Sequence, residues 1–98
     1  MADFLLLMHD DARVEIPGEA WGRYFAMLRE AEAFAGGSSI GDGATFRKDG
    51  AMVSLTPRIA GYIRLSAADF DAARALIAGN PVFEHGGTVE LRELPIEG

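Results

Sequence analysis

Phe4 to Met8 form an unbroken apolar run, Phe-Leu-Leu-Leu-Met, in a chain of only 98 residues. Laid out as a strand, Phe4, Leu6 and Met8 line one face while Leu5 and Leu7 line the other. Both faces of any sheet that holds this strand then need cover. The run is far short of the roughly 20 apolar residues that cross a membrane. Asp3 before it and His9, Asp10 and Asp11 after it are unlike an export signal. The expectation is a soluble, unprocessed protein without a membrane partner.

What can supply the cover follows from the rest of the chain. A helix is expected from about Glu19 to Phe34, where Trp21, Tyr24, Phe25, Leu28 and Ala31 recur at spacings of three and four. Gly36-Gly37 is expected to stop it. Residues 38 to 55 are rich in Gly and Ser, with Ile40 and Phe46 as the main anchors. Asp49-Gly50, between Thr45-Phe46-Arg47 and Met52-Val53-Ser54, marks a hairpin tip with a strand on each side. A strand follows over Ile59 to Leu65. Ser66 is expected to cap a second helix bearing Phe70, Ala73, Leu76 and Ile77, which Gly79-Asn80-Pro81 ends. Thr88 to Leu94 alternates as a last strand.

This order predicts an α+β fold: a single domain over residues 1–98, ferredoxin-like (βαββαβ) with an extra hairpin. Both helices of such a domain lie on one sheet face. The second apolar face calls for a homodimer whose sheets pack together, a dimeric α+β barrel.

Composition narrows the function. A net charge of -6 argues against nucleic acid as a partner, because counterion release needs basic surface. The absence of cysteine excludes disulfides, CxxC redox pairs and thiolate zinc sites, and suits a reducing cytosol. No HxH or HExxH spacing, phosphate-binding loop, GxGxxG or GxSxG is present, so no metal and no cofactor is expected.

Several segments carry a family resemblance. They are Phe-Leu-Leu-Leu-Met-His-Asp-Asp (4 to 11), Gly-Gly-Ser-Ser-Ile-Gly (36 to 41), Arg-Lys-Asp-Gly (47 to 50), Gly-Tyr-Ile-Arg-Leu (61 to 65), and the block from Ala78 to Leu94 around Asn-Pro-Val-Phe-Glu-His-Gly-Gly. The chain resembles the YCII-related domain family, close to its DGPF branch, over nearly its whole length. The resemblance implies a ferredoxin-like protomer in a dimeric α+β barrel, in a family whose members mostly have no established activity. Two departures stand out. Ser54-Leu55-Thr56-Pro57-Arg58 replaces the Asp-Gly-Pro-Phe signature. The first helix has Trp21, Arg23 and Tyr24 where family members are suggested to use a His.

Candidate chemistry is confined to a few side chains. His9, beside Asp10 and Asp11, is placed to act as a general acid or base at a strand end, or simply to sit in a polar turn. His85, before Gly86-Gly87, either meets a ligand where backbone amides are bare or fixes that loop by a hydrogen bond. Arg58 and Arg64 either clamp an anionic group through the guanidinium fork or pair with Glu90 or Glu93 across strands. Tyr62 shares a face with Arg64, and Glu90 shares one with Arg92. Trp21 reads as packing. Two functions follow: an enzyme or binder of a small anionic or aromatic metabolite, with His9, Asp10 and His85 catalytic and Arg58, Tyr62, Arg64 and Glu90 holding the substrate; or a noncatalytic dimeric interaction module.

Overall fold

In the computed structural model of the chain, which describes residues 1–95, the apolar run becomes a central strand, β1 (Ala2–His9). Phe4, Leu6 and Met8 are buried to 5% exposure or less, while Leu5 and Leu7 on the other face are only half-buried. The remaining elements are α1 (Gly18–Glu30), β2 (Phe34–Ser39), β3 (Ile59–Ala67), α2 (Phe70–Ala75), α3 (Pro81–Glu84) and β4 (Val89–Leu94). The strands form one antiparallel sheet in the order β2-β3-β1-β4. The fold is mixed α+β. Among the described residues no helix is long and apolar enough to cross a membrane.

The helices lie on the Phe4/Leu6/Met8 face. Tyr24 and Leu28 of α1 pack with Ile63 and Leu65 of β3 and Ala73 of α2 in one apolar cluster. Phe70 meets Phe4 edge to face, with ring centres 6.1 Å apart.

Local details depart from the sequence expectations for identifiable reasons. The first helix ends at Glu30, four residues early. Glu32 takes a left-handed φ of 57°, Ala33 N donates to Leu28 O and Glu32 N to Arg29 O. These are the two bonds of a Schellman stop, built here without glycine. Gly36 and Gly37 instead lie inside β2, where a Cβ on Gly37 would stand 2.7 Å from Tyr62 O. Ser66 belongs to β3. The helix cap is Asp69, whose carboxylate accepts from Ala72 N at 2.8 Å.

The second helix ends at Ala75, and a further short helix, which the sequence reading did not expect, follows the Gly79-Asn80 stop. After α2, Asn80 turns the chain and caps α3, accepting from Val82 N at 3.0 Å and Phe83 N at 3.2 Å. Pro81 sits at the first helical position, where its missing N–H is no loss. The expected hairpin over residues 45–54 keeps its tip, with Gly50 N donating to Arg47 O at 3.0 Å, but no strands flank it. The anchors assigned to it are not anchors. Ile40 is 43% and Phe46 90% exposed.

Asn80 joins the layers. It is fully buried, and its amide nitrogen also reaches Met8 Sδ at 3.5 Å. Close by, the Tyr24 hydroxyl donates to Leu76 O at 2.8 Å, and burial pushes the pKa of that hydroxyl up. Asn80→Ala leaves two amides of a buried helix start without an acceptor. It should lower unfolding free energy by about 2 kcal/mol in urea titrations. A loss below about 0.5 kcal/mol would mean that Asn80 is not the joint described.

Candidate functional site

Strand alternation sends the odd residues of β1 and the even residues of β3 and β4 away from the helices. Register then arranges them in rows. Tyr62, Leu7 and Glu90 stand side by side, with Ser38 beyond Tyr62. The next row is Arg64, Leu5 and Arg92, and the third is Ser66, Asp3 and Leu94. The helix-free face is therefore an apolar centre, Leu5 and Leu7, ringed by Tyr62, two arginines and two acids.

His9, the last odd residue of β1, lies on this face by the same alternation. The β1–β3 register shifts beside it, with Ala60 of β3 as the extra residue between Gly61, opposite Met8, and Ile59, opposite His9. The His9 backbone N donates to Thr88 O at 3.0 Å. The side chain is 13% exposed, and Nε2 lies 3.5 Å from Glu90 Oε2. Nε2 is buried and, among the described residues, has no hydrogen-bond partner. Buried ring nitrogens are normally satisfied, and this one has the long Glu90 contact in place of a hydrogen bond.

The other expected site residues divide between this face and elsewhere. Tyr62, Arg64 and Glu90 are on it with His9. Arg64 and Arg92 are exposed, and among the described residues neither has a carboxylate within 4 Å, so the cross-strand pairing with Glu90 or Glu93 does not form. The like-charged Arg64 and Arg92 flank Leu5 instead, two strand spacings or about 10 Å apart. Asp10 and Arg58 meet only through the backbone at the sheet end, Asp10 N donating to Arg58 O at 2.9 Å, and both residues are exposed.

His85 belongs to a different place. It ends α3, and its Nδ1 lies 2.7 Å from Pro81 O. A carbonyl only accepts, so Nδ1 carries the proton. The ring faces a cleft of about 300 Å³ between α1 and α3, shared with Arg23, Tyr24 and Glu84. The structure thus puts the two histidines in separate sites. The His85 ring bonds back to the first residue of α3 and not to the Gly86-Gly87 loop it was expected to fix. Among the described residues no three His, Asp or Glu side chains converge as a metal site.

One functional carboxylate escaped the sequence reading of roles. Asp11 accepts from Thr88 N at 2.8 Å and from Thr88 Oγ1 at 2.7 Å, tying the end of β1 to the start of β4 beside His9. The signal was available only as an Asp pair after one strand and a Thr before another. The Thr88 hydroxyl, then the Thr88 amide, hold the Asp11 carboxyl below its usual 3.8. A carboxyl pKa lowered in the folded state stabilises fully above the unfolded value and ceases to do so as pH falls through the folded value. Asp11→Ala should therefore lower the urea midpoint near pH 7, with the deficit shrinking as pH drops below 3.8. A deficit that stays constant through acid pH would contradict this role.

Comparison with protein-family profiles and with curated proteins gives no match to this chain, and the reading of the site rests on its own geometry.

Proposed function

We propose that the chain is the ferredoxin-like protomer of a YCII-type dimeric α+β barrel, in which two helix-free sheet faces pack together and enclose a site for a small anionic metabolite. The strand order β2-β3-β1-β4, with every helix on the opposite face, supports the protomer assignment. Leu5 and Leu7 support the pairing, since each leucine taken fully out of water contributes about 1.5–3 kcal/mol and both are still half-exposed.

The observation that carries the functional reading is the His9–Glu90 pair set on that same apolar-centred face, with His9 Nε2 unsatisfied. Glu90 orients the imidazole, and Nε2 exchanges a proton with a bound molecule. Arg64 and Arg92 supply the anion preference. Two stacked sheets bring four unpaired guanidiniums toward one poorly hydrated interior, where like charges repel strongly unless an anion lies between them. A small carboxylate or phosphate ester answers that need and places its reacting atoms beside His9. Tyr62 adds a ring wall. His85, Asp10 and Arg58 have no part in this site. The setting is a reducing cytosol, to which a chain without cysteine is suited.

The leucine centre alone also serves an interaction module, and ligand chemistry separates the two readings. A thermal-shift screen of small carboxylates and phosphate esters should find stabilisers of the wild type. His9→Gln and Arg64→Gln should each weaken binding about tenfold or more, while His85→Gln leaves it unchanged. Stabilisers that act equally on all four proteins, or none at all, would overturn the site.

A further inference from the structure

Residues 41–58, between β2 and β3, are exposed throughout. They carry large apolar side chains on no core, with Phe46 at 90% and Met52 at 99% exposure. The arm also enlarges the molecule. The radius of gyration is 15.0 Å, against about 13 Å for a compact domain of this length. Yet it is not a loose coil. Arg47 pairs with Asp49 at 3.0 Å, Asp49 also accepts from Ala51 N at 3.0 Å, and the Thr45 hydroxyl bonds Val53 O across the arm. An out-and-back excursion stapled at its tip has already given up much of the freedom that docking would remove.

The same chain has an apolar cleft of about 310 Å³ at the root of this arm, walled by Trp21 and Phe25 of α1, Ile63 and Val82, and floored by Gly37 and Gly61. Strand pairing explains why it is unfilled. A Cβ on Gly37 would stand 2.7 Å from Tyr62 O and one on Gly61 3.0 Å from Met8 Cε, so the sheet has no side chain to raise beneath the two stacked rings.

We infer that the arm of one copy docks on a second copy of this chain, seating Phe46 and Met52 at the apolar cleft, with the exchange reciprocated. Charge favours this occupant. Residues 41–58 hold three basic and two acidic side chains, whereas the remainder of the chain holds six basic and thirteen acidic. A net-positive arm is thus drawn to the acidic body of its twin. Reach permits it as well. Nine residues outward at about 3.3 Å each extend roughly 30 Å, beyond the 18 Å thickness of the protomer. In its own chain the arm leaves Phe46 in solvent and the cleft open. The inference shares with the proposed function the presence of a second copy, but it concerns a different surface.

Because the chain has no cysteine, two single-cysteine variants test it cleanly. Copies carrying Ser39→Cys, at the exposed rim of the cleft, are mixed with mass-tagged copies carrying Met52→Cys and oxidised gently. The mixed disulfide should exceed both like-with-like products, and Phe46→Ser on both copies should reduce it about tenfold. Phe46 is exposed, so this variant leaves the fold intact. A dimer that gives no mixed disulfide overturns the arm exchange and leaves sheet pairing standing. A disulfide that forms only within a chain carrying both cysteines assigns the cleft to its own arm and also overturns it. So does a small molecule found by native mass spectrometry to fill the cleft and block cross-linking. A monomer at all concentrations overturns both readings together.

Discussion

The constraint on which the structure depends is that β1 is apolar on two sides and the helices cover only one of them. A central strand with apolar residues at every position from Phe4 to Met8 has no polar side to turn to solvent. One side is answered within the protomer by Tyr24, Leu28 and the short helices α2 and α3. That arrangement needs Asn80 to turn the chain sharply inside the core. The other side carries Leu5 and Leu7 half-exposed amid Tyr62, Arg64, Arg92 and the His9–Glu90 pair. Apolar centre and unpaired charge on one surface are hard to reconcile with a face turned to water. They fit an enclosed face with an anion in it, and so the proposed dimer and the proposed anion preference rest on the same residues.

Much of this was legible in the sequence where periodicity reports packing. The apolar run of β1, the alternation in β3 and the helical stripe of Tyr24 and Leu28 pointed to the α+β class and the sheet faces, but not to which face of β1 the helices cover. Boundaries failed where a local bond replaced the usual residue. A Schellman stop at Glu32 took the place expected for glycine, and Asp69 capped what Ser66 was expected to cap. The hairpin strands failed because Asp49-Gly50 specifies a turn but not a sheet to receive its arms. Nothing in the chain's own body packs against Phe46 or Met52.

The site was legible in part for a related reason. Strand parity alone groups Tyr62, Arg64 and Glu90 on one face. Parity also puts His9 on the Leu5/Leu7 face, but the 3.5 Å approach of its ring to Glu90 comes from the β1–β4 register, which parity does not give. Nor does sequence tell that His85 is turned toward Pro81 O between α1 and α3, since its place is set by the Asn80 turn and the left-handed Gly86. The Asp11–Thr88 bond joins residues 77 positions apart, a pairing that only the β1–β4 neighbourhood creates.

The central claim is that the helix-free face of β1 is covered by another copy of the chain. Sedimentation equilibrium at about 10 µM tests it directly. The account predicts a mass twice the 10.5 kDa of the chain, falling to the single-chain value when Leu7→Glu places a charge at the centre of the face. A wild-type protein that stays at 10.5 kDa, or a dimer indifferent to Leu7→Glu, would contradict it.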